Sequence, residues 1–160
     1  MSLLQTVRHL VSRFFGVLLS RPLGPRDQDW ANSFLRPEEA ALFWEQAAVD
    51  QRHAYEVARR VERDLGDASG AIAAALLHDV GKRHSDLGPI RRSIATILDG
   101  LHLPMPADWR RYRDHGELGA VDLEQIGADV LTVGFARGRV DPELTVEQST
   151  WEVLMAADDE

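Results

Sequence analysis

The chain contains no cysteine among its 160 residues. Disulfides, thiolate zinc sites and cysteine nucleophiles are therefore excluded, and the absence fits a reducing, cytoplasmic setting. Any metal has to be held by imidazole and carboxylate. Such ligands suit manganese, iron, cobalt, nickel or zinc without choosing among them. Positive charge is in short supply, the formal balance being -8 at pH 7. That argues against a general attraction to nucleic acid or anionic membrane, although local basic clusters can still meet phosphate groups. No strand-like alternation of useful length, internal repeat or low-complexity tract is present. What remains reads as an all-α, compact helical bundle. A hydrophobic share of 44% is enough for one sizeable core, so the expectation is one domain over residues 30–160, preceded by an amphipathic helix and linker over 1–29.

The densest chemistry lies at residues 73–82, AAALLHDVGK, where an apolar helical run ends in the adjacent imidazole and carboxylate of His78 and Asp79. Polar groups so close to a core are tolerated when paired, hydrogen-bonded or bound to a metal. Two further residues share that property. His53 continues to Val57 and Val61 at helical spacing, and Asp158 follows Trp151, Leu154 and Met155 at i+7, i+4 and i+3. An inward His, an inward His-Asp pair and an inward Asp, each on its own helix, make a converging set. Asp159 is the alternative to Asp158.

These four residues resemble the signature of the HD-domain proteins of the metal-dependent phosphohydrolase superfamily, which is a His, then His-Asp, then a distant Asp. The resemblance covers about two thirds of the chain. It is most specific at LLHDVGK, and is joined by DHGELGAVDLEQIGAD at residues 114–129, which resembles the segment that supplies an additional His in many members, here His115. It implies His53, His78, Asp79 and Asp158 as metal ligands, Asp79, Lys82 and His115 as catalytic groups, and Lys82 beside a substrate phosphate, with His115 either binding that phosphate, moving a proton or holding a second metal. Members with two metals commonly carry a further His on the following helix, where this chain reads VLTVGFARGRV. No histidine follows His115, which favours one divalent cation per chain or a weakly held second one near His115; Arg137 and Arg139 stand where that histidine would be, either as a fixed positive charge in place of a second cation or simply exposed. The implied activity is hydrolysis of a nucleotide or other small phosphomonoester. The alternatives are a di-iron oxygenase or oxidase, which needs the fuller ligand set, and a binding or signalling module that keeps a structural metal.

Other segments leave their readings open. Residues 3–19 form an amphipathic basic helix, too interrupted to span a bilayer, that either covers the core or a second copy of the chain, or touches a membrane surface. Residues 21–29, with Pro22, Gly24 and Pro25, read as a linker. Pro37, Glu38 and Glu39 open a helix carrying Leu42 and Phe43. Asp50 is read as the cap of the helix that bears His53 and stops at Gly66, and Gly81 as a residue that frees the backbone to turn. Arg91 near a helix start, and Arg111 and Arg113 in the arginine cluster before His115, are either substrate-phosphate contacts or solvated side chains. A small phosphorylated substrate is the expected partner, with a homodimer as a further possibility and no nucleic acid.

Overall fold

The computed structural model describes residues 21–84, 106, 109, 114–139 and 148–159. The expected helix over 3–19 and the arginines 91, 111 and 113 lie outside them. Among the described residues every regular element is helical and no strand occurs. The elements are α1 (Pro25–Asn32), α2 (Pro37–Trp44), α3 (Ala48–Leu65), α4 (Ser69–Leu77), a 3-10 turn (Val80–His84), α5 (His115–Gln125), α6 (Val130–Arg137) and α7 (Gln148–Asp159).

The bundle is built around α4. Every residue from Ala71 to Leu77 is buried, so the helix has no solvated face and has to be covered on all sides. Helices α2, α3, α6 and α7 supply that cover. Four alanines among the seven let neighbouring backbones approach, while Ile72, Leu76 and Leu77 fill the space together with Phe43, Val57, Val61, Leu123 and Leu154, all fully buried. Because α4 cannot turn its end toward solvent, the residues that follow it, His78 and Asp79, are carried into the interior.

Local chemistry sets the element ends. Pro37 stands at the first turn of α2, where a missing N–H costs nothing, and Glu39 accepts from the Arg36 backbone N–H at 2.9 Å to close a capping box. Gly66 ends α3 with φ 65, a conformation a side chain disfavours. Gly127 and Gly138, also at positive φ, close α5 and α6. Asp129 caps α6 by accepting from Leu131 N at 2.9 Å.

Four local expectations are corrected. The stretch 21–29 is not all linker, since Pro25 is the opening residue of α1 rather than a breaker, with Asp27 in its first turn. Asp27 also accepts from Tyr55 Oη at 2.9 Å, tying α1 to α3. Asp50 does not cap α3, which begins earlier, at Ala48; Asp50 lies inside its first turn and is buried. Gly81 does not reach positive φ; its lack of a side chain serves a close contact instead. Finally Met155, on the apolar stripe that leads to Asp158, points outward, 38% exposed, because the α7 face that meets the core is narrower than that stripe implies.

Candidate metal and phosphate site

Three helices deliver the expected ligand set to one point. His53 comes from the first half of α3, His78 and Asp79 from the residues just after α4, and Asp158 from the last turn of α7. Ligand atoms of His53, His78 and Asp79 all fall within 4.8 Å of one another. Asp158 joins through the two imidazoles, its Oδ1 lying 3.2 Å from His53 Nε2 and 3.2 Å from His78 Nε2. Asp79 Oδ2 is 3.3 Å from His78 Nε2 and 3.9 Å from His53 Nε2. Atoms bound at about 2.0–2.2 Å to one ion stand roughly 3.0–3.5 Å from each other, so most of these separations are those of a ligand shell.

The His78 ring gives the sharpest test of fit. Its Nδ1 is 2.8 Å from the Ala75 carbonyl oxygen, which can only accept, so Nδ1 carries the proton of the neutral ring and Nε2 is left with a lone pair. Nε2 is buried and makes no hydrogen bond among the described residues, although two carboxylate oxygens lie within 3.3 Å. A lone pair facing two anions is repulsive until a cation or a proton stands between them. With no metal ion the proton takes that role. Burial draws the imidazole pKa down, but Asp79 and Asp158 outweigh it and push it up to about 10. Burial likewise acts to raise both carboxyls, and the neighbouring charges win: His78 and Lys82 hold Asp79 well below the carboxylate range, and His53 and His78 hold Asp158 low. Imidazole with its second nitrogen fixed by a backbone carbonyl, beside ionised carboxylates, fits a divalent cation.

Around this core the site grades from dry to wet. The Asp79 and His78 side chains are 5% and 6% exposed, whereas His53, His115 and Asp158 are 29%, 30% and 38% exposed, so the floor is sealed and the rim open. Lys82, three residues beyond Asp79, pairs with Asp79 Oδ2, the oxygen that also faces the imidazoles. His115, at the start of α5, sits on the opposite oxygen, Nε2 to Oδ1 3.5 Å. Asp79 thus has one oxygen toward the ligand cluster and the other toward His115.

Other candidates separate from the site. Arg137 donates to Glu117 at 3.1 Å and to Glu124 at 2.7 Å, and Arg139 lies 3.6 Å from Glu117; both are committed to the acidic face of α5 and do not stand in for a second cation. Asp159 is exposed, leaving Asp158 as the residue on the cluster. His84 meets Asp122 at 2.6 Å, outside the ligand set. Sequence reasoning missed Phe135, whose ring lies 5.6 Å from the His78 ring and 5.8 Å from Trp151. It walls the imidazole on the α6 side, and its apolar spacing marked it only as core. Arg60 was missed as well; it donates to the Ala157 carbonyl at 3.3 Å and ties the end of α7 to α3. Compared with protein-family models, with curated proteins and with solved structures, the chain matches none.

Proposed function

We propose that the chain is a metal-dependent phosphohydrolase of the HD-domain type, holding one divalent cation and hydrolysing a small phosphomonoester such as a nucleotide. The observation that carries this reading is the convergence of ligand atoms of His53, His78 and Asp79 within 4.8 Å, with buried His78 Nε2 3.3 Å from Asp79 Oδ2 and 3.2 Å from Asp158 Oδ1. His53, His78, Asp79 and Asp158 would hold the cation. Manganese, iron, cobalt, nickel and zinc all accept that set. When bound, the cation acidifies water and polarises a phosphoryl oxygen.

The chain's own groups account for the rest. Lys82, paired with Asp79 Oδ2, would present its ammonium to phosphoryl oxygens as a point charge. Asp79 Oδ1 and His115 Nε2, 3.5 Å apart, form a proton-handling pair on the side away from the imidazoles. There the carboxylate orients the attacking water and the imidazole takes its proton or returns one to the leaving oxygen. The water oxygen bonds to phosphorus as the ester P–O bond breaks, and the leaving alkoxide is protonated. Arg91, Arg111 and Arg113 are proposed as further phosphate contacts on sequence grounds alone.

A single cation is favoured because His115 is the only histidine facing Asp79 Oδ1 among the described residues. The test is cation content of the chain purified without chelator, beside Asp79→Ala, with both assayed for phosphate release over a panel of nucleotides and small phosphomonoesters. One cation per chain, lost in the variant together with turnover, is the expected result. Two irons with oxygen uptake would replace this reading by an oxygenase, and no metal with no turnover would leave a binding module.

A further inference from the structure

The four proposed ligands come from α3, from the residues just after α4 and from α7, but His115 belongs to α5, whose main neighbours among the described elements are the 3-10 turn and α6. Its distance from Asp79 therefore depends on how α5 is seated on that turn. We propose that Gly81, Gly119 and Asp122 are positioning residues that lock the 3-10 turn and α5 into one block and so hold His115 against Asp79 Oδ1. The inference deepens the reading of the site above and rests on it for the part His115 plays in the reaction.

Two independent sets of contacts carry it. The first is backbone on backbone. A Cβ placed on Gly81 would lie 1.8 Å from the His115 carbonyl oxygen and 2.5 Å from Gly119 N, and one on Gly119 would lie 2.9 Å from Gly81 N. No side chain fits either position, so the turn immediately after Asp79 touches the very peptide unit that bears His115. The other side of α5 is as close, a Cβ on Gly116 meeting the Ala136 carbonyl oxygen at 2.9 Å. The second set is electrostatic. Asp122, one helical turn beyond Gly119, accepts from His84 at 2.6 Å and lies 3.0 Å from Arg83 Nη1. Arg83 continues to Glu45 at 3.1 Å. The two residues that follow Lys82 are thus fastened to α5, and Asp79 and His115 are fixed at the ends of one short, doubly tied path.

The test uses Gly119→Ala, which pushes α5 off the turn, and Asp122→Ala, which removes the Arg83 ion pair and the His84 contact without adding an atom and so serves if the first variant does not fold. Each is expected to lower phosphate release about 10- to 100-fold, the usual effect of misplacing a reacting group by about an ångström. Neither should lower it further in a His115→Ala background, because the loss acts through that imidazole. A second readout does not use turnover. In the metal-free chain, Asp79→Asn is expected to shift the His115 ring signals in a proton–nitrogen NMR spectrum, and to shift them much less when combined with Gly119→Ala or Asp122→Ala. An undiminished shift in the folded variants, or losses that add to that of His115→Ala, would overturn the inference. Absence of phosphate release in the parent would instead count against the reading of the site, and the ring signals would still decide the positioning.

Discussion

At pH 7 a cation entering this site has to displace a proton from His78. The imidazole, pushed up to about 10 by Asp79 and Asp158, carries its proton at neutrality, and that proton stands where the Nε2 lone pair would meet the ion. Removing it at pH 7 costs about 4 kcal/mol, three decades at about 1.36 kcal/mol each. The cost falls as pH rises, so apparent affinity should increase about tenfold from pH 7 to pH 8, with about one proton released per cation bound. The measurement is competition for zinc against a chelator of known affinity at the two pH values. Calorimetry in two buffers of different ionisation heat then counts the protons. An affinity that does not move between pH 7 and 8, with no proton released, would refute the assignment of Nε2 as both the protonated and the ligating atom. His78→Ala should abolish the proton release and weaken binding at both pH values.

The metal-free chain should show its greatest stability between about pH 4 and 6.5. The raised His78 contributes fully below its ordinary 6.5 and loses that contribution as pH climbs toward about 10. The lowered Asp79 and Asp158 contribute fully above their ordinary 3.8 and lose it as pH falls. Thermal melts in chelator across pH check this, and a maximum near pH 9 would contradict it. Asp158→Ala should weaken cation binding by about 10-fold or more, as loss of one ligand does, while Asp159→Ala should leave it within about twofold; chelator competition separates the two, and equal effects would mean that the last turn of α7 is rotated from the position described.

The parts of this fold that were legible in the sequence are those fixed by local chemistry. Pro37 with Glu38 and Glu39 announces the start of α2, and Gly66 the end of α3, because those residues act on their own backbone. The His53 and Asp158 positions were legible because each continues the apolar face of its own helix. His78 and Asp79 instead follow a helix buried all round, and stand out by their polarity at the end of an apolar run and by the resemblance of LLHDVGK. What failed was set by distant partners. Pro25 has the same role as Pro37, but Pro22 and Gly24 beside it favoured a linker, and the contacts that favour α1, from Tyr55 and Arg52 to Asp27, come from another helix. Gly81 was marked as special for the wrong cause, since its reason is the His115 carbonyl on an element more than thirty positions away. Arg137 sat at a suggestive position in the sequence and was taken by Glu117 and Glu124 across the α5–α6 corner, a choice that no local pattern records.

The burial of α4 also bears on how fast the site can exchange what it holds. A helix covered on every side releases its amides to solvent only when most of the molecule opens, whereas the last turn of a half-exposed helix frays on its own at far smaller cost. His78 and Asp79, whose side chains are 6% and 5% exposed, belong with the first kind of event, and Asp158, 38% exposed, with the more exposed rim. The proposed ligand set is thus divided between a buried wall and a more exposed rim. A cation held there would be expected to exchange past Asp158, whose turn is tied to α3 by Arg60 donating to the Ala157 carbonyl, rather than past the buried His78 and Asp79.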